Sequence, residues 1–191
     1  MKTIAIILTA LTLSACATPQ VPQYSISTSN NEVLKTIRTG TIKVGLFQAS
    51  KNFDNGCRAG NPALTLPDQL SFEGYIQKAL AEEFKVAGLS GDKPSSVTLS
   101  GSVEELAFST TQGAGFSAGS WDIGLQVNSS NGKSTYVSAH YPFASTFNAF
   151  AACERAAAAY LPAVQNLIGK LLASPDFVTL MALPSASAAK N

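Results

Sequence analysis

The chain predicts an α+β fold: a β-α-β-β-β-α sandwich, with a mostly antiparallel sheet and two helices on one face. Three observations predict it. Two segments, around Ile76 and around Tyr160, repeat apolar residues at helical spacing. Between them, three segments alternate apolar and polar residues with a period of two, and Asn131-Gly132 marks a hairpin. A fourth alternating segment precedes the first helix. One-sided helices and one-sided strands each need a surface to cover, and packing them together satisfies both.

The first 15 residues stand outside that domain. Met1-Lys2 gives a positive start, and residues 3–13 form an apolar run too short for the roughly 20 residues that span a bilayer. That layout is a removable secretory signal. The small pair Ser14-Ala15 directly before Cys16 resembles the bacterial lipobox. The resemblance implies cleavage before Cys16, diacylglycerol on its thiol and acylation of the new amino terminus, so the membrane is a partner through those chains. Two or more chains hold firmly where one gives reversible binding. Ala17, where an Asp would favour inner-membrane retention, implies by the same resemblance an outer-membrane anchor facing the periplasm. The plainer alternative is a secreted chain cut after Ala15.

Residues 16–39, with two prolines and much Ser, Thr, Asn and Gln, are expected to be the lipidated cysteine and a flexible tether. The domain proper is expected over 40–182. Residues 41–48 alternate and predict a strand with Ile42, Val44 and Leu46 on one face. Residues 49–67 form a long loop containing Cys57, a length uncommon unless tied down. Residues 68–87 predict a helix, its apolar side formed by Phe72, Ile76, Ala79, Leu80 and Phe84, with Gly88 as its stop. Strands follow through Val97–Val103, with a bulge at Glu104-Glu105, then through Trp121, Ile123, Leu125 and Val127, then through Val137, Ala139, Tyr141 and Phe143. Residues 148–172 predict the second helix, with Phe150, Cys153, Ala157, Tyr160 and Val164 on its apolar side and Pro162 bending or dividing it. Ser174-Pro175-Asp176 starts a last short turn, and 183–191 read as a disordered tail.

Composition excludes some partners. Lys and Arg number 13 against 12 Asp and Glu, and the one charged residue before Cys16 is Lys2, so the mature chain is balanced. Without a basic excess it has little to neutralise phosphates, and nucleic acid is not expected as a partner. Charged residues are 13% of the chain, about half the usual share, leaving Ser, Thr, Asn and Gln to solvate the surface. With Cys16 taken by lipid, Cys57 and Cys153 remain, and two thiols in an oxidising compartment are expected to pair. They lie 96 residues apart. Two buried reduced cysteines are the alternative; a metal pair lacks further ligands at suitable spacing.

Phe72-x-x-Tyr75-Ile76 with Ala79-Leu80 and Ala87-Gly88, the Ser129-Ser130-Asn131-Gly132 turn, Tyr141-x-Phe143, Cys153 and Pro162-Ala163-Val164-Gln165 together resemble a group of uncharacterised proteobacterial envelope lipoproteins. That group is similar to small lipoproteins serving as accessory subunits of transport or assembly machines. The resemblance implies a fold and no functional residue.

Candidate chemistry is sparse. Gly115-Phe116-Ser117-Ala118-Gly119 matches the G-x-S-x-G of serine hydrolases, and Ser117, Asp122 and His140 follow the hydrolase order. A strand, not a helix, follows the turn, and Asp122 is only five residues from Ser117, so a glycine-rich connection explains the motif more simply. Gly113-Ala114-Gly115 with Gly119 has the wrong spacing for a dinucleotide loop. Glu82-Glu83 and Glu104-Glu105 read as solvated pairs, Asn128-Ser129-Ser130 as an incidental glycosylation match, and His140, the only histidine, as a surface residue. No catalytic residue, cofactor or metal is expected. The leading expectation is a non-enzymatic, lipid-anchored subunit binding an envelope protein or polymer, through a sheet face bearing Ser100, Ser102, Asp122 and Gln126 or an edge near His140. A carrier holding a lipid or small apolar ligand between helices and sheet is the alternative, and a hydrolase using Ser117 comes third.

Overall fold

In a computed structural model of the chain, residues 18–37, 40–58, 63–91 and 97–183 are described. The signal segment, Cys16 and the expected tail beyond Leu183 lie outside them. The architecture is mixed α and β: a four-stranded sheet in the order β1-β2-β3-β4, with helices against one face. The strands are β1 (Ile42–Ala49), β2 (Val97–Gln112), β3 (Ala118–Ser129) and β4 (Ser134–Ala144). β1 runs parallel to β2, and the other pairings are antiparallel. The helices are α1 (Thr28–Thr36), α2 (Phe72–Val86), α3 (Ala149–Ala173) and the short α4 (Phe177–Met181).

Alternation sets the sheet's two faces. Val97, Leu99, Val103, Trp121, Ile123, Leu125, Val127, Val137 and Ala139 are buried beneath α2 and α3. Two glycines on that side make room for rings across the strand. A Cβ on Gly101 would stand 2.7 Å from the Phe47 ring, and one on Gly119 would stand 2.5 Å from the Phe143 ring. The bulge expected at Glu104-Glu105 is present, with the β2–β3 register slipping between Val103 and Glu105. A second irregularity corrects the reading of β1. Its pairing shifts between Val44 and Phe47, so Phe47 is buried and Leu46 is turned outward, 62% exposed. One extra residue reverses every side chain beyond it.

α2 begins later than its periodicity suggests, because Asp68 and Gln69 have φ of 55° and 56°, a conformation no helix continues. Ser71 then caps it, its hydroxyl accepting from Gly74 N at 3.2 Å. α3 is one helix rather than two. Pro162 deprives the Ala158 carbonyl of a partner, but Ala158 is exposed and solvent can serve it. The buried side of α3 is rich in alanine (Ala152, Ala156, Ala157, Ala159, Ala163), which lets the helix approach the sheet around Trp121 and Tyr160. Phe150, expected on that side, sits in the first turn and is 37% exposed.

The segment expected to be a tether belongs to the fold. Val21 is 1% and Leu34 0% exposed, and α1 packs on α2 and α3. The anchor of this segment is Glu83, fully buried, whose Oε1 accepts from Tyr24 Oη at 2.6 Å and from Ser27 N at 2.9 Å. The expected solvated pair is therefore split: Glu82 is partly exposed, Glu83 holds the N-terminal segment. Glu83→Ala would leave both donors without their acceptor and is expected to destabilise the fold by about 2–4 kcal/mol. Denaturant unfolding should show that loss, amide exchange should accelerate selectively in residues 18–37, and Glu82→Ala should do neither.

Burial also sets an alkaline limit. Tyr24, Tyr75 and Tyr160 all have hydroxyl pKa values pushed above the usual 10.0, chiefly by burial, and for Tyr24 next by its bond to Glu83. The unfolded chain therefore releases these protons first. Stability is fully present below about pH 10 and falls as pH rises beyond it. A urea midpoint that holds to about pH 10 and then declines is the expected result, with a shallower decline in Tyr24→Phe.

Candidate functional surfaces

The sequence-predicted residues separate into a pair and an outlier. Asp122 on β3 and His140 on β4 are register partners, and His140 Nδ1 lies 2.6 Å from Asp122 Oδ1 on the outer face of the sheet. Ser117 is in the turn before β3. Five residues of strand separate it from Asp122, about 16 Å at the usual rise. The serine that does approach is Ser120, whose Oγ stands 3.4 Å from Asp122 Oδ2 and accepts from Gln112 Nε2 at 2.8 Å. In that row the acid lies between serine and histidine, whereas a catalytic triad needs the histidine in the middle.

The same outer face carries Ser100, Ser102, Asp122 and Gln126, as their alternation implies. A polar outer face is what water asks of an antiparallel sheet covered on one side. Tyr136 departs from that pattern. It is 51% exposed, and its hydroxyl lies over Gly124, where a side chain would have no room. A half-exposed ring thus leans from the edge strand β4 over Gly124 of β3, beside its register partner Gln126 and near Glu105 of β2.

Both edges of the sheet are obstructed. On β1, Phe47 N donates to Gln77 Oε1 of α2 at 3.1 Å. On β4, Lys170 of α3 donates to Ser138 O at 3.0 Å, and Pro142, four register pairs further on, offers no N–H. The edge near His140 is thus a poor template for an added strand.

The helix–sheet interior is filled. Trp121, Tyr75, Tyr160, Phe84 and Phe177 are each at most 1% exposed. A pocket of about 490 Å³ lies outside it, between the loop after β1 and the start of α2, lined by Phe53, Leu64, Leu66, Leu70 and Phe72 among others.

Cys57 and Cys153 form the expected disulfide, tying that loop to the second turn of α3. Next to it, the Arg58 guanidinium lies 5.3 Å from the centre of the Phe116 ring and donates to Thr146 O. Phe116 stacks on Phe147 at 5.8 Å and 13°. This aromatic group at the end of the sheet was not anticipated, because its members fall in two connections without periodicity. Among the described residues, no helix is long and apolar enough to cross a membrane.

No protein-family model and no curated protein matches the chain. Among solved structures it is similar to protein XCC0632 from Xanthomonas campestris, a member of the uncharacterised DUF330 family, with 13% identity and a TM-score of 0.46 over 82% of this chain and 94% of that one. No residue role passes across a likeness of that degree.

Proposed function

We propose that this chain is a non-enzymatic lipoprotein of the bacterial envelope, held by an acylated Cys16 on the periplasmic side of the outer membrane, and that it serves as an accessory subunit binding another envelope protein through the open face of its sheet. Tyr136 carries this reading. An aromatic ring with a polar tip, half exposed on the sheet beside the amide Gln126 and the acid Glu105, has the make-up of an interface anchor. The obstructed edges favour the face over strand addition. The wide separation of Ser117 from Asp122 favours binding over hydrolysis, and the filled interior favours it over carriage of a ligand between helices and sheet.

The test places a photoreactive residue at position 136, in cells, with position 178 as control, since Val178 is 69% exposed on α4. A discrete adduct with one envelope protein at 136 and none at 178 is expected, and Tyr136→Ala should reduce co-purification of that protein at least tenfold. Equal labelling at both positions, or none at 136, would count against the face. Metabolic palmitate should label the chain and not Cys16→Ser.

A further inference from the structure

We infer that the aromatic end of the domain, built from Phe116, Phe147 and Phe150, rests in the interfacial layer of the lipid bilayer that holds the anchor. This rests on the proposed acylation of Cys16 and adds a second membrane contact to it.

Phe116, Phe147 and Phe150 are 38%, 75% and 37% exposed and belong to the β2–β3 turn, the β4–α3 connection and the first turn of α3. Other large exposed apolar residues, such as Leu46, Val86 and Val178, are scattered over β1, α2 and α4, and single exposures of that kind are ordinary. Here Phe116 and Phe147 stack, with Phe150 one helical turn on from Phe147, and the pair is held in place. Phe116 has φ of 57°, an unfavourable conformation for a bulky residue, and that strain is spent on a ring left at the surface. Arg58 lies over the same ring and bonds the Phe147 connection, and its neighbour Cys57 is covalently joined to α3. The rings are therefore presented on a braced frame and not on a loose loop.

The path of the N-terminal segment says what faces them. Ser27 and Tyr24 meet Glu83 near the end of α2, Pro22 O accepts from Tyr75 Oη near its start, and Pro19 O accepts from Thr65 N ahead of it. Traced backwards, the chain climbs α2 towards the end where Phe72 packs on Trp121, which lies three residues into β3, the strand that leaves the turn carrying Phe116. Cys16 is three residues before Pro19, a reach of at most about 10 Å. A lipid on Cys16 thus brings this end of the domain against the bilayer, and rings sink about 5–10 Å into the headgroup boundary in such contacts. The chain carries 13 basic side chains against 12 acidic ones, so apolar burial rather than charge drives the contact. Three rings bind weakly alone; on a 10 Å leash they fix the tilt of the domain.

The test uses the full chain, processed and acylated, in vesicles of phosphatidylethanolamine and phosphatidylglycerol with or without brominated acyl chains. Phe147→Trp and Tyr136→Trp report each site above the common Trp121 signal, and mass spectrometry reports acylation of Cys16. The expected result is at least twofold quenching by bromolipid at 147 and none at 136. An acylated chain without quenching at 147 overturns this inference and leaves the anchor standing. If Phe147→Glu then also halves the mass of an oligomer in detergent, the rings face a second copy; if it does not, they face another protein. A chain without acyl mass on Cys16 overturns the anchor and this inference together.

Discussion

Trp121→Ala should be the most damaging single substitution in the core, lowering stability by about 3–5 kcal/mol. Trp121 is 1% exposed on the inner face of β3, with ring centres of Phe108, Tyr160 and Phe72 at 4.7, 4.8 and 5.8 Å. Its Nε1 donates to Ala156 O at 2.8 Å, fastening the sheet to the alanine side of α3. Removing it opens a cavity among rigid rings that cannot collapse into the space. Against a total of about 5–15 kcal/mol, that leaves the fold marginal. Trp121→Phe should cost much less, about 1–2 kcal/mol, because most of the volume survives and Ala156 O keeps a place in the helical ladder. Guanidinium unfolding checks both, and a Trp121→Ala loss under about 1 kcal/mol would mean the ring cluster is not the core's keystone.

Opening the Cys57–Cys153 bridge is the second large effect. With the cysteines 96 residues apart, its loss in Cys57→Ala with Cys153→Ala should cost about 2–5 kcal/mol. Alanine is the appropriate replacement at 153, since that site is fully buried and a serine hydroxyl there would add a penalty of its own. The consequence should also be local. The loop carrying Arg58 would lose its tie to α3, so limited proteolysis should cut within residues 50–66 in the variant before it cuts the unchanged protein. A reduced chain with the same unfolding midpoint and the same cleavage pattern would show that the loop is held by its other contacts.

Much of the sheet could be read directly. Trp121 to Val127 and Val137 to Ala139 alternate cleanly because one face is dry and the other wet, and the Glu104-Glu105 bulge showed as two acids breaking that alternation. β1 is not legible beyond Val44, because its slip leaves no mark in composition: Leu46 and Phe47 are both apolar, and only pairing with β2 decides which is inward. α1 is not legible in the sequence because its one buried apolar residue is Leu34, while its other buried residues, Asn30 and Asn31, are polar, Asn30 Nδ2 bonding Gln165 O at 3.0 Å. Asp122 and His140 stand out in the sequence only through the order Ser117, Asp122, His140, and register makes them neighbours. Tyr136 was legible only as an outward position, and the Phe116–Phe147 stack not at all, since it joins residues 31 apart through the closure of two connections.

The obstruction of both sheet margins, by Gln77 on one side and by Lys170 with Pro142 on the other, bears on crowding. Copies of this domain confined to one plane would meet flank to flank at far higher local density than in free solution. Strands left bare there would zip neighbours into ribbons, a route that a glutamine, a lysine and a proline at these margins oppose.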